Sequence, residues 1–129
     1  MTSPPPRPRA TLGRRQRILK TGEFRAVYAA RGRAGDGRLV VYARPNGLGM
    51  TRLGVSVGKR CGNAVRRNRI KRLIREAFRQ VRAEFPVGYD VVVVPVGRDY
   101  SFAEVDGGIR SLLPQAIGRC AAGPRKADG

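Results

Sequence analysis

The segment from Asn63 to about Phe85 limits the folds open to this chain more than any other. Ile70, Leu73, Ile74, Ala77, Phe78 and Val81 recur at i, i+3, i+4, i+7, i+8 and i+11, the spacing of one helix face. At about 100° per residue, Asn68, Arg72, Arg75 and Arg79 fall opposite that stripe, with Arg69 and Lys71 on its two flanks. Arg66 and Arg67 come in the first turn, where free backbone N–H groups and the helix dipole favour an anion. One side of the helix must be covered by the rest of the protein, while the other presents a row of cations.

A second constraint follows directly. Gly88 precedes YDVVVVPV, a continuous apolar run of the kind found in strands covered on both faces. Upstream, RLVVYAR alternates, with Leu39, Val41 and Ala43 on one side and Val40 and Tyr42 on the other. Asn46-Gly47 marks a turn, and RLGVSVG reads as another strand with Leu53, Val55 and Val57 inward. Its other face shows Gly54, Ser56 and Gly58, which leaves room for a close approach to the sheet. Thr21 can cap a short helix with Glu23 in its first turn and Phe24, Val27 and Tyr28 on one face. Aromatics at that spacing are more often core than binding residues, and the residues alone favour core. Ser101 and Glu104 have capping-box spacing and open a last helix with Val105, Ile109, Leu112, Leu113, Ala116 and Ile117 inward, which Gly107, Gly108 and Pro114 weaken or kink. Interleaved helices and strands around a doubly covered strand make an α/β sandwich.

The chain has 129 residues, enough for one domain with a real core. We place that domain at 17–120, between a proline- and arginine-rich basic tail at 1–16 and a shorter tail at 121–129, both flexible.

Charge decides the class of partner. With 27 Lys and Arg against 9 Asp and Glu, the net charge is +18, a field that attracts polyanions. From Lys59 to Arg82 there are ten basic residues and one acid, Glu76. An ordinary solvated helix face mixes signs in i, i+4 pairs, so this one is explained by a polyanionic partner. The preference for Arg suits bidentate phosphate contacts, although it equally fits GC-rich codons, since Arg dominates the whole chain. A membrane-active peptide would need an exposed apolar face, and the stripe on 70–81 is required for the core. No transmembrane stretch or signal-peptide core is present, so the sequence reads as cytoplasmic, with Cys61 and Cys120 as reduced, incidental thiols. There is no His, and the carboxylates are sparse and unpaired, so no acid–base catalyst or two-metal site is legible. The chain by itself binds no cofactor or metal on this reading.

The run LGVSVGKRCGNAVRRNRIKRLIREAFR resembles the signature of the bacterial ribonuclease P protein component. Its centre is Arg67-Asn68-Arg69, followed by Ile70, Lys71, Arg72, Leu73, Ile74, Arg75 and Glu76, after Gly62-Asn63-Ala64-Val65. The resemblance extends to the Phe24 to Tyr28 helix, to Tyr42 and to the Tyr89-Asp90 strand, over roughly residues 17–118. Gly58 stands where serine is common, and Arg60 where lysine is.

The resemblance implies a two-layer α-β-β-β-α-β-α sandwich with a small mixed sheet, a further short strand near Arg31–Gly35 and a left-handed crossover through the basic helix. It implies the accessory protein subunit of an endoribonuclease that removes the 5′ leader of precursor tRNA, with the catalytic groups and divalent metal, Mg in the first instance, on the RNA subunit. Partners would be that catalytic RNA, one protein per RNA, and precursor tRNA. By the same resemblance, Lys59, Arg60, Arg66, Arg67, Asn68, Arg69, Arg72 and Arg75 face RNA phosphates. Phe24, Tyr28, Tyr42 and Lys71 line a cleft for the single-stranded leader. The alternative is a structural RNA-binding protein of ribosomal type. Composition leaves it open, and the Arg67-Asn68-Arg69 string in its setting speaks against it.

Overall fold

A computed structural model describes residues 17–18, 21–30 and 32–128, with side chains through Cys120. The basic tail placed at 1–16 lies outside the described residues. The elements are α1 (Thr21–Ala29), β1 (Gly32–Gly35), β2 (Leu39–Pro45), β3 (Arg52–Val55), α2 (Ala64–Val81), β4 (Tyr89–Pro95) and α3 (Phe102–Asp128). This is the α-β-β-β-α-β-α order.

The four strands form one mixed sheet in the order β1-β2-β4-β3. β2 pairs antiparallel with β1 and with β4, placing Val41 opposite Val93, while β3 runs parallel to β4 with Leu53 beside Val91. Parallel neighbours need a crossover, and α2 is that crossover. Because β4 is central, alternate residues meet different layers. Val91 and Val93 join Leu39, Val41, Leu53, the α2 stripe at Ile70, Ile74, Ala77, Phe78 and Val81, and the inward side of α3. Val92 faces the other way, into a smaller cluster with Ile18 and Val27 under α1. The doubly covered strand of the sequence reading is therefore present, with α2 and α3 on one face and α1 across part of the other.

Local chemistry explains the boundaries. Asn63 caps α2 by accepting from the Arg66 backbone N–H at 2.9 Å. The helix ends at Val81 rather than near Phe85, and Arg82–Glu84 tighten into a 3-10 turn before β4. Ser101 and Glu104 make the full capping box, Glu104 Oε1 accepting from Ser101 N at 2.9 Å and Ser101 Oγ from Glu104 N at 3.1 Å. α3 is continuous through Gly107, Gly108 and Pro114. Gly108 has a positive use, since a Cβ there would lie 2.7 Å from Leu39 Cδ1, so its absence lets α3 approach β2. Helical backbone runs on to Asp128, beyond the limit placed at residue 120 and beyond Cys120, the last described buried residue. β3 is shorter than RLGVSVG, but Val55 and Val57 still pack on the core edge as partly buried residues. Both cysteines are buried, Cys61 as a free thiol.

Candidate nucleic-acid interface

The amphipathic pattern of α2 dictates how its polar side is displayed: with the stripe seated on the sheet, the intervening residues must point away from it. Asn68, Arg69 and Arg72 are exposed, as are Lys59 and Arg60 in the 3-10 turn before the helix, while Arg66, Arg67, Lys71 and Arg75 are half-buried. Two cations of the helix are neutralised within the fold, Arg66 by Asp99 and Arg79 by Glu76. Among the described residues, no carboxylate pairs with Lys59, Arg60, Arg67, Arg69, Lys71, Arg72 or Arg75.

Three of the half-buried four, Arg67, Lys71 and Arg75, form a row one helical turn apart. Arg67 Nε is shielded from solvent and has no acceptor. Burial, and then the nearby charge of Arg17, hold the Arg75 guanidinium below its ordinary value. Arg17 makes a parallel bridge to Leu53 on the open edge of β3, and its own Nε is likewise buried without an acceptor. Donors left unmatched in a partly dry setting are costly, and an anionic oxygen is the kind of acceptor that can satisfy them. Arg17 was not among the residues singled out from the sequence. Nothing in its surroundings signals that the chain there runs beside a strand.

On the opposite sheet face, α1 and β2 bring three aromatics together. The Phe24 and Tyr28 centroids are 6.3 Å apart, and Tyr28 meets Tyr42 edge-on at 4.9 Å. The Arg33 guanidinium lies over the Tyr42 ring, 5.9 Å from its centroid. Tyr28 is 38% exposed, Phe24 and Tyr42 are half-buried, and Val27 alone on α1 is fully buried. The core position of α1 thus belongs to Val27, and the aromatic edges beside it stay open. Gly54 carries the close approach that the sequence anticipated: a Cβ there would lie 2.9 Å from Phe24 Cε1 and Cζ, so the ring rests on bare backbone. A hollow of about 220 Å³ bounded by Thr21, Phe24, Tyr28, Val55 and Ser56 adjoins the rings.

Among the described residues, Lys71 makes no hydrogen bond, ion pair or cation–π contact with this trio. It lies on α2 one turn from both Arg67 and Arg75. The seam between the two surfaces is the Arg17-Ile18 pair: the charge of Arg17 is felt at Arg75, while Ile18 is buried with Val27 and Val92.

Arg52 was also missed, although an arginine inside a strand pattern is a signal that could have been followed. It donates from Nε and Nη2 to the two oxygens of Asp90 at 2.8 and 2.7 Å and from Nη1 to Glu23 at 2.9 Å. Burial raises the Asp90 carboxyl, but hydrogen bonds from Arg52 and Asn46, with the charges of Arg52 and Arg44, outweigh it and hold the group below its ordinary value. Glu23, read from sequence as serving the α1 dipole, is thus also half of an ion pair.

The described residues contain no group of three His, Cys, Asp or Glu that could hold a metal ion, and no helix among them is long and apolar enough to cross a membrane.

Residues 12–116 match the model of the family described as Ribonuclease P. The chain is 41% identical over 108 residues to the ribonuclease P protein component of Shouchella clausii, covering 81% of this chain and 88% of that one. It is 40% identical over 104 residues to the component of Clostridium kluyveri, covering 78% and 93%. The Staphylococcus aureus RNase P protein superposes with a TM-score of 0.68 at 31% identity, covering 81% of this chain and 96% of that one. The Thermotoga maritima protein gives 0.66 at 31%, covering 75% and 94%. A structural protein of ribosomal type finds no support among these matches.

Proposed function

Because the chain belongs to the ribonuclease P protein family, we propose that its two surfaces divide the labour of precursor-tRNA processing, one gripping the RNA subunit and the other the 5′ leader. As a protein component, it serves a ribonucleoprotein whose RNA cuts precursor tRNA and frees the mature 5′ end. The described residues offer no cluster of ligands for a resident metal ion. Any divalent ion, Mg foremost, is assigned to the RNA. One protein per RNA and a cytoplasmic setting complete the reading.

Lys59, Arg60, Arg66, Arg67, Asn68, Arg69, Arg72 and Arg75 are assigned to RNA phosphates. The observation that carries this is the row of α2 cations, all but the Asp99-paired Arg66 without acidic partners, in which Arg67, and beside which Arg17, holds a buried donor with no acceptor. Each phosphate neutralised releases condensed counterions, so the contact is sequence-independent and salt-sensitive. Arg forks fix geometry as well as charge, which orients the protein on its RNA.

Phe24, Tyr28, Tyr42 and Lys71 are assigned to the leader. Open aromatic edges beside cations suit single strands of any sequence, because every base has a face to stack on. Only the precursor carries a leader, so contacts here favour substrate over product without touching the scissile bond. That difference promotes turnover by letting the matured tRNA go.

The test is multiple-turnover cleavage of precursor tRNA by the cognate RNA with and without this protein. Faster turnover and a lower KM for precursor are expected, with no cleavage by protein alone. Absence of stimulation across a range of salt would overturn the assignment.

A further inference from the structure

The geometry points to Arg52 as a positioning residue that sets the leader cleft by tying α1 to the sheet through Glu23, an inference that rests on the leader reading above. α1 has nine residues and one fully buried side chain, Val27. A helix that short does not hold itself in water, so its place is set by its ties. Among the described residues, the Glu23 to Arg52 contact is the one side-chain hydrogen bond or ion pair between α1 and the rest of the fold.

Arg52 is itself held rigidly. Both Asp90 oxygens accept from it, a fork that fixes the guanidinium plane and leaves Nη1 aimed at Glu23. Asp90 is 1% exposed and is oriented in turn by Asn46 Nδ2, which donates to Oδ1 at 2.8 Å. Restraint therefore passes from the loop after β2, through β4 and β3, to the first turn of α1. Arg52 and Gly54 share one face of β3, and consecutive residues of α1 dock on them: Glu23 on Arg52 and Phe24 on Gly54. Tyr28, one turn along from Phe24, then meets Tyr42. With Glu23 released, α1 is left to swing about Val27, and the aromatic edges lose their spacing while the core beneath is undisturbed.

The experiment uses holoenzyme reconstituted with the cognate RNA. Glu23→Ala frees α1 while keeping the buried Arg52–Asp90 pair. It should raise KM for precursor by about threefold to tenfold with kcat within about twofold, the range of one partly buried ion pair. Affinity for mature tRNA and for the RNA subunit should not change, and the melting temperature should fall by only a few degrees. Glu23→Gln, which keeps an acceptor at the same reach, should recover most of the loss, and the shorter Glu23→Asp should not. Wild-type KM in Glu23→Ala, or equal losses on precursor and mature tRNA, overturns the positioning role. Phe24→Ala run in parallel separates the two readings. If it weakens precursor binding while Glu23→Ala does not, the cleft stands and the tie falls. If it has no effect, the cleft reading fails, and an effect of Glu23→Ala could not then be exerted through it.

Discussion

Gly54→Ala puts the smallest possible wedge under Phe24. The added Cβ would sit 2.9 Å from Phe24 Cε1 and Cζ and 3.1 Å from Ile18 Cβ. Carbon atoms prefer about 3.5–4.0 Å, so the ring must lift by roughly 0.5–1 Å. Overpacking of this kind costs about 1–3 kcal/mol, and a half-buried ring free to slide towards solvent belongs at the low end. For a domain of this size, about 1 kcal/mol lowers the melting temperature by roughly 3–6 °C. The lifted ring also leaves the plane on which a base would stack. Stacking is worth about 1–3 kcal/mol per base, so partial loss should weaken precursor binding by about fivefold to tenfold and leave mature tRNA unaffected. The decisive assay is a double-mutant cycle with Phe24→Ala, read by thermal melting and by precursor affinity. Once the ring is gone the wedge meets mainly Ile18, so Gly54→Ala should add little to Phe24→Ala. Strict additivity, or wild-type binding and melting in Gly54→Ala alone, would refute the account of Phe24 resting on the β3 backbone.

Two further outcomes follow from the charge arrangement. Arg72, exposed and without an acidic partner, should behave as a phosphate contact: Arg72→Ala is expected to reduce the log–log salt slope of RNA-subunit binding by about 0.7–0.9, whereas Arg79→Ala, already neutralised by Glu76, should leave it almost unchanged. Asp90 sits below its ordinary value in the folded protein, so its contribution is fully present above the unfolded value of about 3.9 and is lost as pH falls through the folded value. Urea midpoints should therefore drop steeply below about pH 4 in the wild type and more gently in Asp90→Asn, a variant that also loses about 1–3 kcal/mol at neutral pH, since Arg52 keeps Glu23 as its partner. Parallel pH profiles would remove the Asp90 explanation.

Much of the fold was legible because burial imposes period. The α2 stripe and the Val91 to Val94 run each mark a surface that must be covered, and the structure covers them as the pattern requires. β1 was not legible from its residues, because GRAG has neither length nor β-branched side chains and exists as a strand only by pairing with β2. Resemblance alone supplied it. The insertion of β4 between β2 and β3 is likewise a non-local choice that no window of sequence records. At the site, charge and aromatic spacing picked out the rows, but not which cations the fold neutralises. Asp99, some thirty residues from Arg66 in sequence, closes that pair only through the β4–α3 turn. Arg17 and Arg52 escaped for the same reason: their partners are distant in sequence.

The central position of β4 has a consequence for the chain as it is made. A ribosome delivers β2, β3 and then α2 before it delivers the strand that joins the first two and floors the third. Any chain cut short before Tyr89 already carries the whole basic stretch from Lys59 to Arg82, yet has no sheet to receive the apolar stripe. Such a fragment is a polycation with an exposed hydrophobic edge, drawn to any nucleic acid in reach and prone to aggregate. Discrimination among RNAs arrives only with the last third of the polypeptide, so premature termination yields a sticky product instead of a weak one.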